Sequence, residues 1–139
     1  MAMRIDVEHV AGDPPVSVVA LDGELDASNY EQVIEVVRKA YADGARALVL
    51  DLAGLTFMAS SGLFALHSAV RIMRGETPPD PEGGWGALRE MAADDAQDGN
   101  VRIAGAQEAI ARVLERTGMT RLFGMDASRA DALAALQGG

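Results

Sequence analysis

Four consecutive apolar residues, Ala47-Leu48-Val49-Leu50, constrain this chain more than any other feature. A strand with one face in water alternates apolar and polar positions, whereas a strand apolar at every position must be covered on both faces. Gly44 precedes the run and Gly54 follows it, so the segment reads as a strand and not as a piece of a longer helix. It is expected in the centre of a sheet, with parallel neighbours and Asp51 at its C-terminal end.

The flanking segments supply the layers such a strand needs. Met3 to Val10 alternates, and Val16 to Leu21 is rich in β-branched residues; Ala11-Gly12-Asp13-Pro14-Pro15 between them makes an antiparallel hairpin. Asp22 to Asp26 reads as a loop. Asp26 or Ser28 then caps a helix, with Glu31 three residues after Ser28 as in a capping box. That helix places Tyr30, Val33, Ile34, Val37 and Tyr41 on one face and stops at Asp43-Gly44. Ser60-Ser61-Gly62 opens a second helix, whose inner face is Leu63, Leu66, Ala69, Val70 and Met73. Asn100 to Ala104 is a short strand. Glu108 to Arg116 is a helix with Ala109, Ile110, Val113 and Leu114 inward, and Gly118 stops it. Leu122-Phe123 reads as a short last strand, followed by a helix capped by Asp126 or Ser128 that packs through Leu133 and Leu136. The order β-β-α-β-α-β-α-(β)-α predicts an α/β fold. Its mixed sheet of four to five strands joins an antiparallel hairpin to parallel strands through right-handed crossovers, with about four helices.

The length, 139 residues, fits one domain, and the apolar share, 49%, is enough for a core. Within residues 1–139, only Arg74 to Gly99 departs in composition. It holds three of the five prolines, five of the fifteen glycines, seven acids and two arginines. This acidic, Pro/Gly-rich stretch reads as a flexible surface insertion, in which Trp85 is the exposed aromatic.

The motifs of common enzyme classes do not occur. His9 and His67 have no metal-ligand partner at the spacing of an HExxH pair, and no phosphate-cradling glycine loop or GxSxG elbow is found. No catalytic residue, metal site or cofactor is expected. The net charge of -9 argues against nucleic acid as a partner. No apolar run is long enough to insert in a bilayer and the N-terminus lacks a secretory pattern, so a cytoplasmic location is expected. The absence of cysteine agrees with a reducing compartment.

The stretch most suited to a function is Asp51-Leu52-Ala53-Gly54-Leu55-Thr56-Phe57-Met58-Ala59-Ser60-Ser61-Gly62-Leu63. It sets two serines in the turn between a buried strand and a helix. One reading is structural: Ser60 or Ser61 caps the helix, and Gly62 lets helix and sheet approach closely. The other is a phosphorylation switch. A hydroxyl at a helix start is open to a kinase, and the dipole and free N–H groups there tolerate a phosphate that alters the surface charge.

This stretch resembles the signature of STAS-domain anti-sigma factor antagonists, a strand ending in D-L, a short loop, F-[ML]-D-S-S-G-L and a helix. Leu21-Asp22-Gly23-Glu24-Leu25-Asp26 is similar to the family's L-x-G-E-L-D segment. Gly118-Met119-Thr120-Arg121-Leu122-Phe123 is similar to its turn before the last helix. The resemblance covers nearly the whole chain outside Arg74 to Gly99 and implies the STAS fold. It implies Ser60 as the phosphoacceptor, with Asp26, Ala59, Ser60, Ser61 and Gly62 on the partner-binding surface. The implied partners are an anti-sigma factor serine kinase of the histidine-kinase-like ATPase fold and a resetting serine phosphatase. Ala59 stands where the family usually has Asp. A STAS scaffold in a stress-sensing or membrane transport assembly, without phosphorylation, is the alternative reading. Replacing the Pro/Gly-rich insertion with a short Gly/Ser connection is expected to leave the far-ultraviolet circular dichroism and the cooperativity of melting intact, whereas recovery only as aggregate would show that it packs on the core.

Overall fold

The computed structural model describes residues 3–76 and 100–137. Strands β1 (Met3–Val10) and β2 (Val16–Leu25) are followed by helix α1 (Tyr30–Ala42), strand β3 (Ala47–Met58) and helix α2 (Ser60–Met73). After the gap come β4 (Val101–Ala104), α3 (Glu108–Arg116), a 3-10 turn at Met119–Arg121, β5 (Gly124–Asp126) and α4 (Arg129–Leu136). The five strands lie in chain order in one sheet, with β1 antiparallel to β2 and all later neighbours parallel. Each parallel crossover steps one strand further in the same direction. Right-handed connections therefore put α1, α2 and α3 on a single face.

The continuous apolar run is accounted for by this layering. Leu48, Leu50 and Leu52 point to the face of α1 to α3, joining Val19, Leu21, Val33, Val37, Leu66 and Ile110 in the main core. Ala47 and Val49 point to the other face. There they form a second, smaller core with Val16, Val18, Ala104 and Ala132, flanked by Leu133 and Leu136 of α4. From Ala47 to Leu50 both faces of β3 are dry, because α4 returns across the back of the sheet.

Several boundaries differ from the sequence expectation. β2 does not stop at Leu21 but continues through Asp22-Gly23-Glu24 to Leu25, and β3 runs on to Met58. Two register shifts, between Ala20 and Asp22 and between Gly23 and Glu24, absorb extra residues of β3 as bulges. The turn-like composition of Asp22-Gly23 thus marks a bulged strand and not a loop. At Gly54 a Cβ would fall on the Asp22 carboxylate, so the glycine leaves room for that exposed side chain across the ribbon. The last strand is Gly124–Asp126; Leu122 and Phe123 instead bury their side chains in the main core. In α3, Ala109 is exposed, and Ile110 and Leu114 carry the burial. His67 is fully buried within α2.

Of the segment 74–99, residues 77–99, Trp85 among them, lie outside the described residues. Its first three residues finish α2. Gly75, at φ 80°, donates to Ile72 O (2.9 Å), and Glu76 donates to Arg71 O (2.9 Å), which is a Schellman closure. Ser128 caps α4 by accepting from Asp131 N at 3.2 Å. The other expected cap, Asp126, is bound to Arg102 at 2.6 Å and ties β5 to β4. Because Val49 is fully buried, a Val49→Asp substitution leaves an unpaired charge in the smaller core, at several kcal/mol. Against a typical total of about 5–15 kcal/mol, this variant is expected to lose its cooperative melting transition in calorimetry.

Candidate functional site

Beyond Asp51 the sheet loses β4, and past the pair Gly23–Leu55 it narrows to two strands. β4 pairs with β3 only from Leu48 to Asp51, and β1 reaches no further along β2 than Gly23. β2 and β3 continue together to the pair Leu25–Met58. Three side chains fix this projecting ribbon. Asp51 accepts from Ala53 N at 3.1 Å and from Arg129 of α4 at 3.0 and 3.1 Å. Gln107, before α3, donates to Ala53 O at 2.8 Å. Thr56 donates across the ribbon to Gly23 O at 3.0 Å.

Two segments meet at the tip. Ala59 N–H donates to Leu25 O at 2.9 Å, which holds the start of α2 against the end of β2. Asp26 follows Leu25 directly and Ser60 follows Ala59. The structure therefore brings together Asp26, Ala59, Ser60, Ser61 and Gly62, the residues singled out from the sequence. Phe57, 48% exposed, stands beside them on β3, opposite Glu24.

Neither serine caps α2. The cap position is Ala59, extended at φ -83° and ψ 173°, with no side-chain acceptor; Ser60 is the first helical residue and is exposed. The capping expectation fails because the chain leaves β3 straight into the helix, and the cap falls one residue earlier. Ala59 O accepts from Gly62 N (2.9 Å) and Leu63 N (3.4 Å). The N–H groups of Ser60 and Ser61 lie in the first turn, where an α-helix supplies no acceptor. No acidic residue occupies that turn, so the positive end of the helix dipole is uncompensated by side-chain charge. Such an end accommodates an added anion.

Gly62 is buried because Leu25 and Met58 pack onto it. A Cβ there would lie 2.5 Å from Met58 Cγ and 3.0 Å from Leu25 Cγ. The glycine is what lets the first turn of α2 rest on the ribbon.

The Asp26 loop is built differently from a capping box. Asp26 Oδ1 accepts from Ser28 Oγ at 2.5 Å and from Ser28 N at 2.9 Å. These bonds, the hydroxyl first, hold its carboxyl below the usual aspartate range. With Ser28 spent on Asp26, the cap of α1 falls to Asn29, which makes no side-chain bond to the helix. Asn29 is a residue that sequence reading missed. It is 6% exposed, next to the exposed Ser28, and its amide bonds backward to the strand. Among the described residues there is no group of three metal-ligating side chains. Nor is any helix there long and apolar enough to cross a membrane.

A five-stranded mixed sheet with such a ribbon and serine-bearing helix start defines a class, and the STAS domain model matches residues 5–76. The chain belongs to the STAS domain family. Its fold is similar to the crystal structure of an anti-sigma factor antagonist from Mycobacterium paratuberculosis, with a TM-score of 0.68 and 24% identity over 97% of this chain and 94% of that one. It is also similar to the anti-sigma factor antagonist SpoIIAA in its unphosphorylated form, with a TM-score of 0.66 and 21% identity over 98% of both chains. The phosphorylated form of the Bacillus cell fate determinant SpoIIAA gives 0.56 and 21%, over 94% of this chain and 96% of that one. At these identities the likeness establishes the fold. Among curated proteins, none matches in sequence.

Two outcomes follow from this geometry. Gly62→Ala is expected to lower stability by about 1–3 kcal/mol in chemical denaturation, because Met58 and Leu25 must yield. Ser28→Ala is expected to raise the Asp26 pKa toward the ordinary aspartate value, followed by carboxyl NMR. The sign is set by linkage: a carboxyl lowered in the folded state adds stability above its unfolded pKa, and that contribution is lost as pH falls through the folded value. Ser28→Ala removes part of it at neutral pH.

Proposed function

We infer that the protein is an anti-sigma factor antagonist. In this reading it binds and sequesters an anti-sigma factor that is also a serine kinase, and phosphorylation of Ser60 releases it. The observation that carries the reading is the exposed Ser60 hydroxyl in the first turn of α2, which Ala59 N–H holds against the end of the ribbon. A phosphate at that point brings nearly two negative charges, with three acceptor oxygens, to amide groups that have no intrahelical partner. The fold tolerates the group while the surface shared with Asp26 and Phe57 becomes more negative and changes shape.

The partner is a kinase of the histidine-kinase-like ATPase fold, and a serine phosphatase restores the binding form. With Ala59 where the family usually has Asp, the acid next to the acceptor comes from the other arm of the site, at Asp26. The protein thus acts as a binding module, working where the kinase and its sigma factor are, in the cytoplasm. Ser61 follows Ser60 into the helix and is partly covered, so it supports the fold and is not the acceptor.

Phosphopeptide mapping after incubation with the cognate kinase and ATP is expected to label Ser60 alone. Ser60→Ala is expected to fold and to hold the kinase constitutively. Ser60→Asp is expected to fold, since an acid at a helix start is favourable by roughly 0.3–1 kcal/mol, and to lose the kinase in a pull-down. Label on Ser61 would refute the assignment. No label anywhere, with binding retained, would favour the non-phosphorylated scaffold of a stress-sensing or transport assembly.

A further inference from the structure

Asn29 is the best-buried residue of the loop between β2 and α1, and neither of its side-chain bonds goes to the helix it precedes. Its Oδ1 accepts from Asp26 N at 2.9 Å, and its Nδ2 donates to Glu24 O at 2.8 Å. These two backbone groups flank Leu25, whose own carbonyl is taken by Ala59 N. The loop closes with Asp26 O accepting from Asn29 N (3.2 Å) and Tyr30 N (3.0 Å). The Glu24 carbonyl and the Asp26 amide stand at the end of the ribbon beside a covered side chain, where backbone polar groups need partners. One planar amide, offering a donor and an acceptor together, satisfies both. An aspartate lacks the donor, and an alanine lacks both groups.

Resting on the reading of Ser60 as the switch, we propose that Asn29 is a positioning residue, which fixes the place of Asp26 relative to Ser60 on the partner surface. It acts through the backbone. By clamping the chain on both sides of Leu25, it sets where Asp26 leaves the ribbon, and so where the Asp26 carboxylate and Ser28 stand. A helix-capping role is a different matter, because serine is a preferred cap residue and asparagine here makes no cap bond. The Asn29→Ser variant separates the two. It keeps or improves the start of α1 and removes the clamp.

The test uses isotope-labelled full chain as wild type, Asn29→Ala, Asn29→Ser and a control, Val33→Ala. Val33 is fully buried in α1 and touches none of the loop bonds, so the control destabilises the domain without releasing the clamp. Carboxyl NMR titration is expected to show the Asp26 midpoint rising in both Asn29 variants, and the Ser28 amide resonance moving toward its random-coil position. In Val33→Ala both stay in place. With the kinase captured by Ser60→Ala, both Asn29 variants are expected to raise KM for phosphorylation roughly tenfold at unchanged kcat, because Asp26 no longer stands in its place on the partner surface. An unmoved Asp26 titration in the Asn29 variants overturns the proposal, as does an equal movement in Val33→Ala, or a KM equal to wild type. Should no kinase label wild-type Ser60, the switch reading fails by itself, and the titration still decides whether Asn29 holds Asp26.

Discussion

The parallel pairing of β2 with β3 is the interaction from which the rest of the structure follows. It is the longest pairing in the sheet, from Val16–Ala47 to Leu25–Met58, and it outlasts the strands on either side. Its lower half lies between two layers of helices and fixes the core. Its upper half has lost β4, and beyond Gly23 β1 as well, and polar side chains hold it: Asp51 on Ala53, Gln107 on Ala53, Thr56 on Gly23. A single further bond, Ala59 N–H to Leu25 O, transfers that rigidity to the first turn of α2. A switch that acts by altering a surface needs such a frame. If the helix start could shift, an added charge would be relieved by movement and would not repel a partner.

Much of the fold was legible in the residues because local pattern and burial agree. Ala47 to Leu50 announced a strand covered on both sides, and the structure has two separate cores, one on each face of it. The helix at Glu108 to Arg116 was legible to the residue, since its apolar spacing and Gly118 coincide. Ser128 was legible as a cap. The failures share one cause, residues used for a purpose that depends on a distant segment. Asp22-Gly23 reads as a turn, yet it is strand, because β3 bulges to meet it. Leu122-Phe123 reads as strand, yet its apolarity fills the core below α3.

The two segments of the candidate site are visible in the sequence, and their wiring is not. The run of serines at a helix start, and the Leu-Asp-Gly-Glu-Leu-Asp segment, are both continuous in sequence. Their meeting at the ribbon tip follows from the register of two strands over thirty residues apart, seen in the bond from Thr56 to Gly23. Ser28 and Glu31 have the spacing of a capping box, but Ser28 lies closer to Asp26 and bonds there at 2.5 Å. Asn29 carried no signal, because an asparagine before a helix is read as a cap by default. Only the depth of its burial and the direction of its amide reveal its other use.

The central claim is that modification of one hydroxyl changes what the surface binds and leaves the fold alone. It is tested most directly on protein carrying phosphoserine at position 60 by translational incorporation, compared with unmodified protein by two-dimensional amide NMR and by affinity for the kinase captured with Ser60→Ala. The account requires shifts confined to the Asp26 loop, the ribbon tip and the first turn of α2, together with loss of kinase binding. Shifts spread through the two cores, or phosphorylated protein that binds the kinase as tightly as the unmodified form, would contradict it.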